Sequence, residues 1–321
     1  MNNRLISVKN LVKYFPIRKG VFRTIAGWVK AVDDISFDIY EGETLGLVGE
    51  SGCGKSTAAL TMFRLEEPTS GEIIYQGENI ARISKKKMRD YRKDLQMIFQ
   101  DPYSSLNPRM KIKNIIAEGL VVHNLLDNKK RMKKVGEVLE RVGISANSMD
   151  RFPHEFSGGQ RQRIGIARAL ALDPKIIICD EAVSALDVSI RSQIINLFKE
   201  LQKEFNLTYL FIAHDLSVIK FVSDRVAVMY LGKMVEIAPT KKFFQKTMHP
   251  YAQALVSAVP VPNPDYKRHR ILLPGDVPSP VDPPKGCHFH PRCPKVMEIC
   301  SKAEPEFIEI EEGHFVACHL Y

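Results

Sequence analysis

Residues Gly49 to Thr57 read Gly-Glu-Ser-Gly-Cys-Gly-Lys-Ser-Thr. Glycine, four open positions and then Gly-Lys-Ser is the spacing a chain needs to wrap a polyphosphate. Gly49, Gly52 and Gly54 let the backbone curl so that successive amides point inward, with Glu50, Ser51 and Cys53 completing the turn. Lys55 can reach the β- and γ-phosphates, the Ser56 hydroxyl can hold Mg²⁺, and Thr57 can hydrogen-bond the α-phosphate. A second chemical pair is Asp180-Glu181, which follows the apolar run Lys175–Cys179. An acid at the carboxyl edge of a buried strand can hold Mg²⁺ through water, and the next acid can polarise a water in line with the γ-phosphate.

These groups need elements to position them. The apolar runs Thr44–Gly49, Ile176–Cys179 and Thr208–Ala213 predict strands buried on both faces. Helical patterns follow at Gly54–Arg64, at Ile190–Phe205 and from Leu216. The phosphate motif therefore lies between a strand and a helix N-terminus, whose dipole favours an anion. Alternating strands and helices over residues 1–240 predict an α/β domain, interrupted by a helical insertion over Lys111–Val142. Prolines crowd positions 260–284 and predict an extended linker, placed over 241–285. Residues 286–321 form a last segment too small to order itself on an apolar core, so a staple is expected.

The chain has 321 residues, 45% hydrophobic and 26% charged, which excludes a disordered chain, a collagen or a coiled-coil rod. No apolar run is long enough to span a bilayer, and the first residues lack a secretory signal, so a cytosolic protein is expected. The net charge of +9 suits an anionic partner or surface. The basic runs Ser84–Lys93 and Lys129–Lys134 read as exposed helix faces rather than a nucleic-acid stripe.

Cys53 and Cys179 stand alone, whereas Cys287, Cys293, Cys300 and Cys318 share the tail with spacings of 5, 6 and 17 residues. In a reducing compartment such a group suggests a metal before disulfides. The closely spaced knuckles of structural zinc are missing, while an iron–sulfur cluster takes four thiolates. The residues by themselves leave iron–sulfur, zinc and no metal all open. His288, His290, His314 and His319 lie nearby and read as surface or supporting residues.

Phe156–Arg163, reading Phe-Ser-Gly-Gly-Gln-Arg-Gln-Arg, together with the phosphate motif, resembles the ATP-binding-cassette (ABC) ATPases. The resemblance implies a P-loop NTPase core with a helical subdomain at about 101–160 and an antiparallel β subdomain, followed by a small Cys-rich C-terminal domain. It implies that Ser157, Gly158, Gly159 and Gln160 open a helix that meets the γ-phosphate held by the opposite subunit of a head-to-tail dimer. Gln100 takes the place of the family glutamine that touches Mg²⁺ and the attacking water. Asp187 takes that of the aspartate crossing the dimer interface, and His214 that of the histidine contacting the γ-phosphate. Phe15, with Tyr14 beside it, stands where an aromatic stacks on adenine. Glu181 and Asp180 become the water-positioning and Mg²⁺ residues, with Ala182 where the family usually has proline.

The insertion Phe15–Phe37, the stretch Phe99–Met110, and the tail segments His249–Leu255, Gly275–Pro280, Gly286–Pro294 and Gly313–His319 resemble ATP-binding subunits of dipeptide/oligopeptide ABC importers. Some relatives of that type import nickel or oligosaccharides. The resemblance implies ATP and Mg²⁺, a four-iron, four-sulfur cluster on the four tail cysteines, and a second ATPase subunit. It also implies two permease subunits, an extracytoplasmic substrate-binding protein, and a peripheral position on the cytoplasmic face of the membrane. Repair or chromosome-condensing ATPases insert long coiled coils that the interval between Thr57 and Phe156 has no room for. Ribosome-acting relatives carry two cassettes, and this chain has one phosphate loop and one signature. No nucleic-acid partner is expected.

Overall fold

Stretches rich in β-branched and aromatic residues build a long antiparallel ribbon, β1 (Arg4–Lys19) and β2 (Thr24–Tyr40). The computed structural model describes residues 3–22, 24–101, 105–260 and 270–321. Pro102, Tyr103 and Ser104 of the Phe99–Met110 stretch, and 261–269 of the proline-rich stretch, lie outside the described residues. The chain divides into two compact units, one of Met1–Arg82 with Ile212–Tyr321 and one of Ile83–Phe211.

In the first unit β3 (Thr44–Val48) is buried at every position and leads to the helix Lys55–Met62. β4 (Ser70–Tyr75) and β5 (Glu78–Asn79) complete an antiparallel sheet of order β2-β1-β4-β5. Its core face carries Ile6, Leu11, Val32, Ile35, Ile39 and Ile73, all without exposed surface.

The second unit places β6 (Leu95–Ile98) parallel to β7 (Ile176–Asp180), Leu95 opposite Ile176, with β8 (Thr208–Ile212) on β7's other side. Four of β7's five residues are buried, as a strand covered on both faces requires. The helices Ile112–Val122, Asn128–Arg141, Gly158–Leu170 and Val188–Phe205 surround these strands in sequence. Asp127 caps the second of them, accepting from Lys130 N–H at 2.9 Å. That helix buries Val135, Val138 and Leu139 and leaves Lys129, Lys130 and Lys133 outside, so the basic run is a solvated face.

The chain returns to the first unit through β9 (Arg225–Tyr230), parallel to β3, and β10 (Lys233–Pro239), antiparallel to β9. Within 241–285, read from sequence as linker, Thr240–Gln245 and Pro250–Ser257 are helices that bury Phe243, Tyr251 and Ala252.

The tail also departs from expectation. It does not form a separate body but belongs to the first unit. β11 (Phe307–Glu311) and β12 (His314–Ala317) form a hairpin, and β12 pairs with β10, giving the order β11-β12-β10-β9-β3. Phe289, 1% exposed, packs edge-on to Tyr230 and against Tyr251. His314, read as a surface or supporting residue, is fully buried and joined to the equally buried Glu236 at 2.8 Å. Glu236 also accepts from the amides of Met248 and His249, so the buried carboxylate is fully partnered. The segment orders because it extends an existing core rather than building its own.

Removal of the Phe289 ring tests this. Phe289→Ala should cost about 3 kcal/mol of stability in urea unfolding and should expose the tail to protease ahead of the rest of the first unit. A loss under about 1 kcal/mol would show that packing does not hold the tail.

Candidate functional site

The phosphate loop lies in the first unit, between β3 and the helix starting at Lys55. Its course is set by crowding. Gly54 has φ +105°, and a Cβ there would lie 2.0 Å from the Ala31 carbonyl oxygen. Gly49 has φ +154°, and its Cβ would meet the Met229 carbonyl oxygen at 2.3 Å. Only glycine fits such positions. Lys55, 5% exposed, turns its ammonium onto the loop's own carbonyls, 2.8 Å from Gly49 and 2.9 Å from Glu50. Cys53 sits 3.7 Å from the same ammonium, and burial pushes its thiol above the usual range. Ser51 and Gly52 are exposed on the loop's outer side, and Ser56 and Thr57 occupy the first helical turn.

Two residues that sequence reasoning missed bear on the loop. The Glu50 amide donates to the Tyr251 hydroxyl oxygen at 2.7 Å, and Arg292 donates to both Glu50 carboxylate oxygens at 2.7 and 3.2 Å. Tyr251 and Arg292 both lay within family-like segments, His249–Leu255 and Gly286–Pro294, that gave neither residue a role.

The first unit also holds Phe15, Tyr14 and His214. Phe15 is half-buried on β1 opposite Val29, with the Lys13 ammonium 4.6 Å from its ring centre. Tyr14 donates to Asp33, and burial followed by that bond raises its phenol. His214 is exposed, just before Asp215, which caps the helix Leu216–Val222 by accepting from Ser217 N–H.

The second unit brings Gln100 and Glu181 together. The Gln100 Nε2 donates to a Glu181 oxygen at 2.6 Å. Asp180 ends β7, and Glu181 turns the chain with φ +48°, a left-handed conformation uncommon outside glycine. Its carbonyl accepts from both the amide and the hydroxyl of Ser184, which stabilises the turn. Ala182, where a proline was expected, is buried at 2% exposure. An aspartate or glutamate in such strained backbone is a frequent mark of a working site.

Ser157 caps the helix Gly158–Leu170, its hydroxyl accepting from Gln160 N–H while the Gln160 side chain accepts from Ser157 N–H. Ser157 and Gln160 are exposed, and a Cβ on Gly159 would strike Ile190 at 2.5 Å, whereas Gly158 faces open space. The helix start is thus bare of bulk, as an anion-binding helix end must be. Asp187 is exposed at the start of Val188–Phe205 and makes no side-chain cap.

The four tail cysteines are free thiols within electrostatic reach of one another. Burial raises Cys287 to about 11, and the neighbouring thiols add to it. Amides two residues on bond three of the sulfurs, Phe289 to Cys287, Lys295 to Cys293 and Leu320 to Cys318. Among the described residues, however, no three His, Cys, Asp or Glu side chains converge as the ligand set of one metal ion. The expected iron–sulfur cluster is therefore not supported by a converging ligand group. The four histidines do not supply one either; His288 and His290 bond the carbonyls of Leu231 and Cys287, and His319 that of Ala303.

The fold and these motifs are those of an ATP-binding cassette. The ABC transporter profile matches residues 32–184, and that of the oligopeptide/dipeptide transporter C-terminal region matches residues 235–300. The oligopeptide transport ATP-binding protein AppF of Bacillus subtilis (strain 168) is 56% identical over 99% of this chain and 97% of its own length. The dipeptide transport ATP-binding protein DppF of Haemophilus influenzae is 48% identical over 99% and 97%. Among solved structures, the cassette MJ0796, a dimer in a post-hydrolysis state bound to ADP and Pi, is similar at TM-score 0.65. It shows 26% identity over 74% of this chain and 99% of its own. The component cbiO1 of a Clostridium perfringens ABC transporter is also similar at 0.65, with 28% identity over 76% and 92%. The chain belongs to the ABC transporter ATPases, in the branch of the oligopeptide/dipeptide transport ATP-binding proteins. Among the described residues no helix is long and apolar enough to cross a membrane.

Gly54→Ala should weaken ATP binding at least about tenfold, a loss of about 1.4 kcal/mol, because the new methyl meets the Ala31 carbonyl. Calorimetric titration of the folded variant checks this, and wild-type affinity would refute the crowding argument.

Proposed function

We propose that this chain is the ATP-hydrolysing subunit that drives uptake of oligopeptides or dipeptides through a membrane transporter. Support for the solute class comes from similarity along nearly the whole chain to oligopeptide and dipeptide transport proteins, including the C-terminal region 235–300. The observation that carries the hydrolytic role is the 2.6 Å bond from the Gln100 amide to Glu181. A carboxylate oriented in this way, on a strained turn at a strand end, can align a water for attack on a γ-phosphate.

In this reading Lys55 and the amides of the loop Gly49–Thr57, apart from the Glu50 amide that Tyr251 holds, bind the phosphates, and Phe15 stacks on the adenine. Ser56, Gln100 and Asp180 offer hydroxyl, amide and carboxylate oxygens, a donor set that suits Mg²⁺. When bound, Mg²⁺ neutralises charge on the β- and γ-oxygens. His214 steadies the γ-phosphate. Ser157, Gly158, Gly159 and Gln160, with Asp187, serve the nucleotide of a second ATPase subunit, so that ATP closes a dimer and hydrolysis reopens it. The motion passes to two permease subunits, fed by an extracytoplasmic binding protein, and the chain works on the cytoplasmic face of the membrane. The division proposed is 1–240 for the ATPase, 241–285 for the connection and 286–321 for the Cys-rich segment.

Glu181→Gln should keep ATP binding and reduce turnover at least about hundredfold, or 2.7 kcal/mol of transition-state stabilisation. Turnover within about tenfold of wild type would assign water positioning to another group.

We propose also that Cys287, Cys293, Cys300 and Cys318 take up an iron–sulfur cluster, with zinc as the alternative. The amide bonds to three of the sulfurs support it, since such bonds stabilise thiolates. Protein purified without oxygen should be brown and lose its colour in Cys293→Ser. Colourless protein with one zinc per chain would replace iron by zinc, and metal-free protein would remove the proposal.

A further inference from the structure

The contact between Arg292 and Glu50 has no part in the roles assigned above. It joins residues 242 positions apart within the first unit. The guanidinium is fork-on with the carboxylate, at 2.7 and 3.2 Å, and its own side chain is only 8% exposed. It also donates from Nε to the Pro274 carbonyl at 3.4 Å and lies over the Tyr230 ring at 6.0 Å. Bidentate geometry of this kind is directional, which a lysine could not supply.

Tyr251 takes hold of the same residue by its backbone, accepting the Glu50 N–H at 2.7 Å. Tyr251 and Arg292 are tied into one cluster, because Tyr230 and Phe289 pack against the Tyr251 ring. Glu50 is therefore fixed at main chain and side chain together. Its carbonyl, beside that of Gly49, is one of the two oxygens holding the Lys55 ammonium. A continuous path of contacts runs from the tail through Glu50 to the phosphate-loop lysine.

We propose that Arg292 and Tyr251 are positioning residues for ATP binding, and that the C-terminal segment sets nucleotide affinity by holding Glu50. The reason is entropic. A loop with glycines at 49, 52 and 54 has many conformations open to it, and ordering them costs free energy when the nucleotide arrives. A loop held beforehand avoids that cost, so binding is tighter. The clamp touches no reacting atom, so its loss changes affinity rather than the chemical step. This rests on the ATPase reading of the loop.

The test uses the full chain, with a fluorescent ATP analogue for binding and steady-state ATP turnover. Arg292→Met keeps the length and apolar bulk of the side chain and removes the fork. It should raise Kd and KM about tenfold with kcat within about twofold, and Arg292→Lys should recover part of the loss. Glu50→Gln should weaken binding to a similar degree, and adding Arg292→Met to it should cost less than about twofold more. Tyr251→Phe keeps the ring and should weaken binding severalfold without lowering the melting temperature. Wild-type affinity in folded Arg292→Met and in Tyr251→Phe would overturn the proposal, as would fully multiplicative losses for Glu50 and Arg292. If Arg292→Met does not fold, Tyr251→Phe decides alone. Lys55→Ala serves as control, because normal ATP binding there would refute the phosphate-loop reading instead.

Discussion

A buried ammonium must be held by oxygen, and at Lys55 the oxygens are the loop's own carbonyls at Gly49 and Glu50. Much of the first unit is arranged around that requirement. β3 is buried on all sides so that it delivers the loop rigidly, and β9 runs parallel beside it with Met229 closing the space behind Gly49. The ribbon β1–β2 supplies the Ala31 carbonyl that leaves room for nothing larger than Gly54. A loop held so closely presents its amides without a search through alternatives, which is how backbone alone can recognise a polyphosphate.

The C-terminal segment belongs to the same construction. Residues after 285 add a hairpin to the β9–β10 edge, insert Phe289 among Tyr230 and Tyr251, and place His314 on the buried Glu236. A strand edge that would otherwise invite pairing with another chain is covered by the protein's own β12. The cysteines lie within this packed segment, so a metal held there would add to an order that packing already provides.

Much of the site was legible in the sequence because its chemistry is local. Gly49–Thr57, the signature run Ser157–Gln160 and the acids after Ile176–Cys179 each need only consecutive residues on one turn, and their spacing carries the meaning. The helix read as Ile190–Phe205, and found at Val188–Phe205, followed from its apolar period, and the buried strands from short apolar runs. What the sequence did not convey depends on distant pairing. Nothing near Arg292 announces Glu50, and nothing near His314 announces Glu236, 78 residues away. The left-handed turn at Glu181 was equally silent, since glutamate carries no preference for it. The small size of the tail segment suggested a staple, which its four cysteines could supply, whereas the order of that segment comes from β10 and the aromatic cluster.

The central claim is that each phosphate loop binds ATP by itself and hydrolyses it only with the capped helix of a second subunit. Equilibrium ATP binding and turnover by Ser157→Arg in the assembled transporter test it most directly. The bare helix start at Ser157 would be blocked while Gly49–Thr57 stays intact, so wild-type affinity with turnover reduced at least about hundredfold is the predicted result. Binding and turnover lost together, or turnover kept, would contradict it.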